Sequence, residues 1–165
     1  MISEQMAKKL NEQLNIEFFA FYQYLAMSAY CQSVSLNGFA HWFSLQAEEE
    51  RGHAMKIYQY LIDQDRDVKL AALGEPKNTF ASVVEVMEKA LAHEQHVTQS
   101  INDVVAAAHQ DNDYATIAFM QWFVTEQVEE EAAVRDILES LQLVDNKNGL
   151  FILDRELKER QPESE

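Results

Sequence analysis

Apolar residues recur at three- and four-residue steps along four long stretches of the chain, the spacing that gathers them on one face of a helix. The first stretch reads Leu10, Leu14, Glu17, Phe21, Tyr24. The second reads Phe39, Phe43, Gln46, Glu50, His53, Ile57. The third reads Met87, Leu91, Glu94, Thr98, Ile101, Val105. The fourth reads Met120, Val124, Gln127, Glu130, Val134, Leu138, Leu141. Period-two alternation is scarce, so strands are not expected. Breakers are few as well: no Gly or Pro precedes Gly38, and none lies between Pro76 and Gly149. The pattern predicts helices over about 3–33, 37–64, 82–109 and 113–144. Asn37 is the expected N-cap of the second helix, and Ser82 with Glu85 fits a capping box for the third. The polar cluster Gln110-Asp111-Asn112-Asp113 separates the third helix from the fourth. A second polar break at 145–149 precedes a short amphipathic segment with Leu150, Phe151, Leu153 and Leu157.

Short links join the first two helices and the last two, so each pair is expected to form an antiparallel hairpin. The middle link, about 65–79, holds Gly74 and Pro76. At ~3.3 Å per extended residue it can travel about 50 Å, the length of a 30-residue helix at ~1.5 Å per residue. The expected fold is all-α: a four-helix bundle with one long crossover and a short C-terminal fifth helix. It forms a single domain over 1–160, with a disordered tail at 161–165.

Each stripe is interrupted near its middle by a carboxylate: Glu17, Glu50, Glu94 and Glu130. An unpaired buried carboxylate costs several kcal/mol, and four together repel one another. A bound cation removes both problems. The register agrees, since Glu17 to Glu50 and Glu94 to Gln127 are both 33 residues apart. His53 stands three after Glu50, and Glu130 three after Gln127. Two pseudo-equivalent hairpins then aim ligands at one central point, in the manner of carboxylate bundles that use Glu from two helices and Glu-x-x-His from the others.

Charge sharpens this reading. The 165 residues include 13 basic and 28 acidic side chains, for a formal net charge of −15. That balance excludes sequence-independent binding to nucleic acid or to an anionic membrane surface. One cysteine, Cys31, excludes a disulfide framework and multi-cysteine metal sites, and reads as a small buried residue. No apolar run reaches the length of a membrane span and no secretory leader is visible, so a cytoplasmic location is expected. His93 and His96 flank Glu94 but point elsewhere on their helix and are not expected to be ligands. His41 and His109 read as surface residues near helix ends. Gly52, inside the second helix, is expected to serve close packing or space near His53.

Glu17, Tyr24, Glu49-Glu50-Arg51-Gly52-His53, Glu94 and Glu126-Gln127-Val128-Glu129-Glu130 together resemble the bacterial non-haem ferritins, di-iron members of the ferritin-like bundles. The resemblance spans nearly the whole chain. It implies a 24-subunit hollow cage that oxidises Fe(II) with O2 or H2O2 and stores ferric mineral. Glu17 and His53 then hold the first iron, Glu50 bridges both, and Glu94 and Glu130 hold the second. Gln127 matches the amide beside the iron pair, and Tyr24 matches a one-electron donor next to it. Glu49, Glu126, Glu129 and the shared Glu130 match a third iron site. Bacterioferritins bind haem through a Met directly after the bridging Glu. Arg51 stands at that position here, so no haem is expected. Two other readings stay open at this point: a bundle without redox chemistry, and a di-iron enzyme acting on peroxide or an organic substrate.

Overall fold

The computed structural model describes residues 1–162. Five helices follow one another: α1 (Glu4–Ser33), α2 (Asn37–Asp63), α3 (Val83–Gln110), α4 (Tyr114–Leu143) and α5 (Lys147–Leu157). No strand occurs among the described residues. α1 packs on α2, α3 packs on α4, and α1 also packs on α3, while the short α5 lies across α2 and touches α4. This is the expected bundle with its long crossover and fifth helix. The expectation of a disordered tail falls partly on residues 163–165, which lie outside the described residues.

Local chemistry sets the helix ends. Ser3, Ser82, Asp113 and Asn146 each accept the backbone N–H three residues on, the usual N-cap bond. The Glu85 carboxylate reaches back to the N–H of Ala81, one residue before Ser82, at 2.6 Å. Three helices stop at left-handed residues that are not glycine: Ser35 (φ 64°), Asp65 (φ 54°) and Asn112 (φ 53°). In each case the next residue donates its N–H to a carbonyl five residues back, from Leu36 to Cys31, Arg66 to Leu61 and Asp113 to Ala108. These bonds are the long closures of Schellman-type ends.

Asn37 is not the N-cap of α2. Leu36 takes that position without a side-chain bond. The start of α2 is closed from a distance instead: one Asp154 oxygen, on α5, accepts the N–H groups of Gly38 (2.8 Å) and Phe39 (3.0 Å). Gly38 is required here, because a Cβ would stand 1.5 Å from the Asp154 carbonyl oxygen. Gly52 has no comparable packing role, since a Cβ there meets nothing within 4 Å.

The crossover is tied to α1 by three amide side chains. Asn11 donates to the carbonyl of Asp67 and accepts from the N–H of Lys69. Asn15 does the same with Lys69 and Ala71, and Gln23 pairs with both backbone groups of Lys77. These side chains supply the partners that a neighbouring strand would give an extended segment.

Two apolar clusters fill the bundle. One gathers Tyr24, Phe39, Trp42, Phe43, Met87, Val134 and Leu138 around the end where α5 docks. The other gathers Met6, Leu10, Leu14, Ile57, Leu61, Ile101, Met120 and Phe123 around the opposite end. A polar layer of Glu17, Glu50, His53, Glu94, Gln127 and Glu130 accompanies them in the interior. The inward row of α3 is Ala90, Glu94, Val97, Ile101 and Val104, one position away from the expected Leu91, Thr98 and Val105. Thr98 turns towards α4, where its hydroxyl donates to Glu131 at 2.7 Å. On α4 the inward position is Phe123, with Val124 only partly buried.

Candidate metal centre

The polar layer draws side chains from all four long helices. Glu17 and Glu94 are 0% exposed, Glu50 1%, and Glu130 and His53 5%. Ligand atoms of Glu17, Glu50 and His53 all lie within 4.8 Å of one another, and so do those of His53, Glu126 and Glu130. His53 Nδ1 stands 3.2 Å from a Glu50 oxygen and 4.0 Å from a Glu17 oxygen. The imidazole belongs to both groups and links α1 and α2 to α4. Trp122 and Phe123 pack edge-on against its ring, at 5.2 and 6.1 Å between centroids.

Three buried glutamines each donate to one carboxylate. Gln13 donates to Glu17 at 2.7 Å and is held by the Ser100 hydroxyl. Gln46 donates to Glu130. Gln127 donates to Glu94 at 3.1 Å and lies 3.2 Å from the Thr98 hydroxyl. Tyr24 gives Glu94 a further hydrogen bond from its hydroxyl. Glu50 differs: among the described residues neither of its oxygens accepts a hydrogen bond, and one oxygen of Glu17 is in the same condition. Two carboxylates therefore keep lone pairs aimed into a closed interior, which the chemistry of a cation fits and that of a neutral core does not.

Burial raises all four carboxyl groups above the ordinary value of 4.5. Repulsion adds to it, from Glu50 on Glu17 and from Glu94 on both Glu50 and Glu130. For Glu94 the bonds from Tyr24 and Gln127 oppose the rise. Burial and the Glu94 charge push the Tyr24 phenol up, which keeps it a donor. His93, wedged between Phe19 and Tyr24, is held neutral by burial, with its pKa lowered to about 4. Burial likewise pushes the Cys31 thiol up to about 12.

The sequence-predicted residues are thus brought together unevenly. Glu17, Glu50 and His53 form one ligand group and Glu130 joins His53, while Tyr24 and Gln127 bond Glu94, which joins neither ligand group among the described residues. Glu126 joins His53 and Glu130, whereas Glu129 is exposed. Glu49 is engaged by Arg160 at 2.6 Å. His96 and His109 are exposed, and neither they nor His93 joins a ligand group among the described residues. His41 is not a plain surface residue, because its Nε2 bonds the Arg160 carbonyl at 3.0 Å. Sequence reasoning missed the orienting roles of Gln13, Gln46 and Ser100. Their signal was present: Gln13 and Gln46 each precede a stripe carboxylate by four residues and are themselves 33 apart.

A four-helix bundle whose interior converges buried carboxylates and one imidazole on a common layer defines a metal-binding bundle protein. Comparison with known proteins gives the family. Residues 7–144 match the ferritin-like domain model. The chain is 42% identical over 161 residues to a bacterial non-heme ferritin of Staphylococcus aureus, with 97% of each chain covered. It is 41% identical to that of Staphylococcus saprophyticus, with 97% of this chain and 96% of the relative covered. Among solved structures, the open-pore ferritin of the archaeon Archaeoglobus fulgidus superposes with a TM-score of 0.96 at 42% identity, covering 98% of this chain and 100% of the other. A humanized archaeal ferritin superposes at 0.97 with 39% identity, covering 99% and 100%. The chain belongs to the ferritin family of metal-binding, iron-storing four-helix bundles.

Proposed function

We propose that this protein is a ferroxidase that oxidises Fe(II) at the buried layer and stores the ferric product within a homo-oligomeric cage of 24 copies. The observation that carries the reading is the pair of buried carboxylates, Glu50 and Glu17, with oxygens left without hydrogen bonds beside His53. Iron is the substrate, and the residues do the selecting. Carboxylate and imidazole donors suit Fe(II), and a predominance of anionic oxygen favours the ferric state. Glu17 and His53, grouped with Glu50, would hold one ion, Glu94 and Glu130 would hold the other, and Glu50 would serve both. Two Fe(II) ions release two electrons, which with two protons convert O2 to H2O2, or H2O2 to two waters.

The glutamines fix the direction of this layer. Gln13, Gln46 and Gln127 each donate to one terminal carboxylate, so these groups turn their remaining lone pairs inward. Tyr24 already directs its hydroxyl hydrogen at Glu94, so loss of an electron from the phenol has a proton acceptor in place. Glu126 and Glu130, which the structure groups with His53, would hold a third iron together with Glu49 and the exposed Glu129.

Aerobic addition of Fe(II) to the metal-free protein tests the reading. Oxygen consumption and ferric absorbance are expected well above the rate in buffer, and the double variant Glu50→Ala/His53→Ala is expected to slow both by roughly 100-fold. A wild-type rate equal to that of iron in buffer rejects the ferroxidase. Oxygen or peroxide consumption without mineral growth rejects storage.

A further inference from the structure

Arg160 comes three residues after α5 and folds back along α2. Its carbonyl is held by His41 Nε2 at 3.0 Å, and its guanidinium lies over the Trp42 indole, 4.7 Å from the ring centroid. One guanidinium nitrogen donates to Gln46 Oε1 at 2.9 Å and the other to Glu49 Oε2 at 2.6 Å. Trp42, Gln46 and Glu49 share one face of α2, at steps of four and three residues. The next residue after Glu49 is Glu50, so this face borders the metal layer. The ion pair is largely withdrawn from water, with side chains 19% and 14% exposed. The amide of Gln46 then donates from its other end to Glu130. A single planar fork therefore touches Glu49 directly and Glu130 through one amide, a geometry that an ammonium cannot reproduce.

The acids assigned to the third metal position divide in two. Glu126 and Glu130 come within ligand distance of His53, while Glu49 belongs to neither ligand group formed by the described residues. We propose that Arg160 is the resident cation of the third metal position. It pairs with Glu49 Oε2 in the metal-free protein, and an ion seated at Glu126 and Glu130 competes with the guanidinium for the Glu49 carboxylate. Arg160 is thus a positioning residue that sets the affinity of that position. It can leave without undocking α5, because Asp154 anchors that helix separately to Gly38 and Phe39. The inference rests on the reading of Glu49, Glu126, Glu129 and Glu130 as a metal position.

Calorimetric titration of the full-length, assembled, metal-free protein with Zn(II), which is redox-silent, tests it. The wild type is expected to take two ions tightly and a third more weakly. Arg160→Gln is expected to tighten the third event by at least about tenfold, since a partly buried ion pair no longer has to break. Arg160→Lys keeps the charge but loses the fork, and should fall between the two. In a Glu49→Gln background the third event weakens, and Arg160→Gln then changes it by less than about twofold. A third-event affinity equal within about twofold in wild type and Arg160→Gln overturns the inference. So does a wild type with two ions and no third event in either protein. A wild type that binds fewer than two ions per chain overturns the metal-centre reading itself, a different outcome from either of these.

Discussion

Glu50 keeps both of its oxygens in the interior without a hydrogen bond, one turn before His53 and beside Glu17. In the metal-free protein such a group is tolerated by holding a proton. The folded-state pKa values of Glu17, Glu50, Glu94 and Glu130 all lie above the ordinary 4.5. The folded protein therefore binds protons that the unfolded chain releases. The stability from these protons is fully present below about pH 4.5 and is lost as pH rises through the raised values. The metal-free Tm is accordingly expected to fall as pH rises above about 4.5 and these raised groups must lose their protons. Glu50→Gln should flatten that fall and raise the metal-free Tm at about pH 8 by about 3–6 °C. The same variant should lose most of the stabilisation that Zn(II) gives the wild type. Thermal scans with and without Zn(II) decide it, and a metal-free Tm that climbs steadily over this range contradicts the account. At this scale the sequence was informative about the carboxylates, because a charge on an apolar stripe is an anomaly in one dimension. It was silent about which oxygens lack partners, since that depends on three other helices.

At the scale of elements, the chain closes its helices by two kinds of rule. Four N-termini are capped by a side chain within the same segment, and of these Ser82 was legible from its capping box with Glu85. The fifth, at α2, is capped across the fold by Asp154, 116 residues from Gly38. Asn37 looked like the cap because local sequence cannot show a carboxylate arriving from α5. The Gly38–Asp154 contact is accordingly expected to control docking of the fifth helix. Asp154→Ala removes two charge-assisted bonds and should cost about 1–2 kcal/mol. Gly38→Ala should displace α5 outright, given the 1.5 Å approach. Trypsin cleavage at Arg155 and Lys158 should accelerate in both variants. Cleavage as slow as in the wild type would show that α5 is held by something else. The crossover makes the same point: Asn11, Asn15 and Gln23 read as ordinary polar residues of α1 until an extended segment needs their amides.

At the scale of the whole molecule, the single chain exposes large apolar side chains that include Tyr22, Leu25, Leu70 and Leu73. Association of copies is a way to remove such surface from water. A closed assembly of 24 copies of a 19.0 kDa chain has a mass of about 460 kDa. Native mass spectrometry or sedimentation should find that species in the metal-free protein. A monomer or dimer at micromolar concentration would remove the storage cage while leaving the metal centre possible to test. No helix of the described residues is long and apolar enough to cross a membrane.

The sequence by itself determined the helical periodicity, the two hairpins, the long crossover and the four carboxylates placed where an apolar residue belongs. Those features are written in spacing, and spacing on a helix is a local property. Only the tertiary structure decided which row of α3 faces inward, which amide orients which carboxylate, and that Asp154 caps α2. It also decided that Arg160 sits on Glu49. Each of these is a contact between residues far apart in the chain, fixed by how the helices pack rather than by any local preference of either partner.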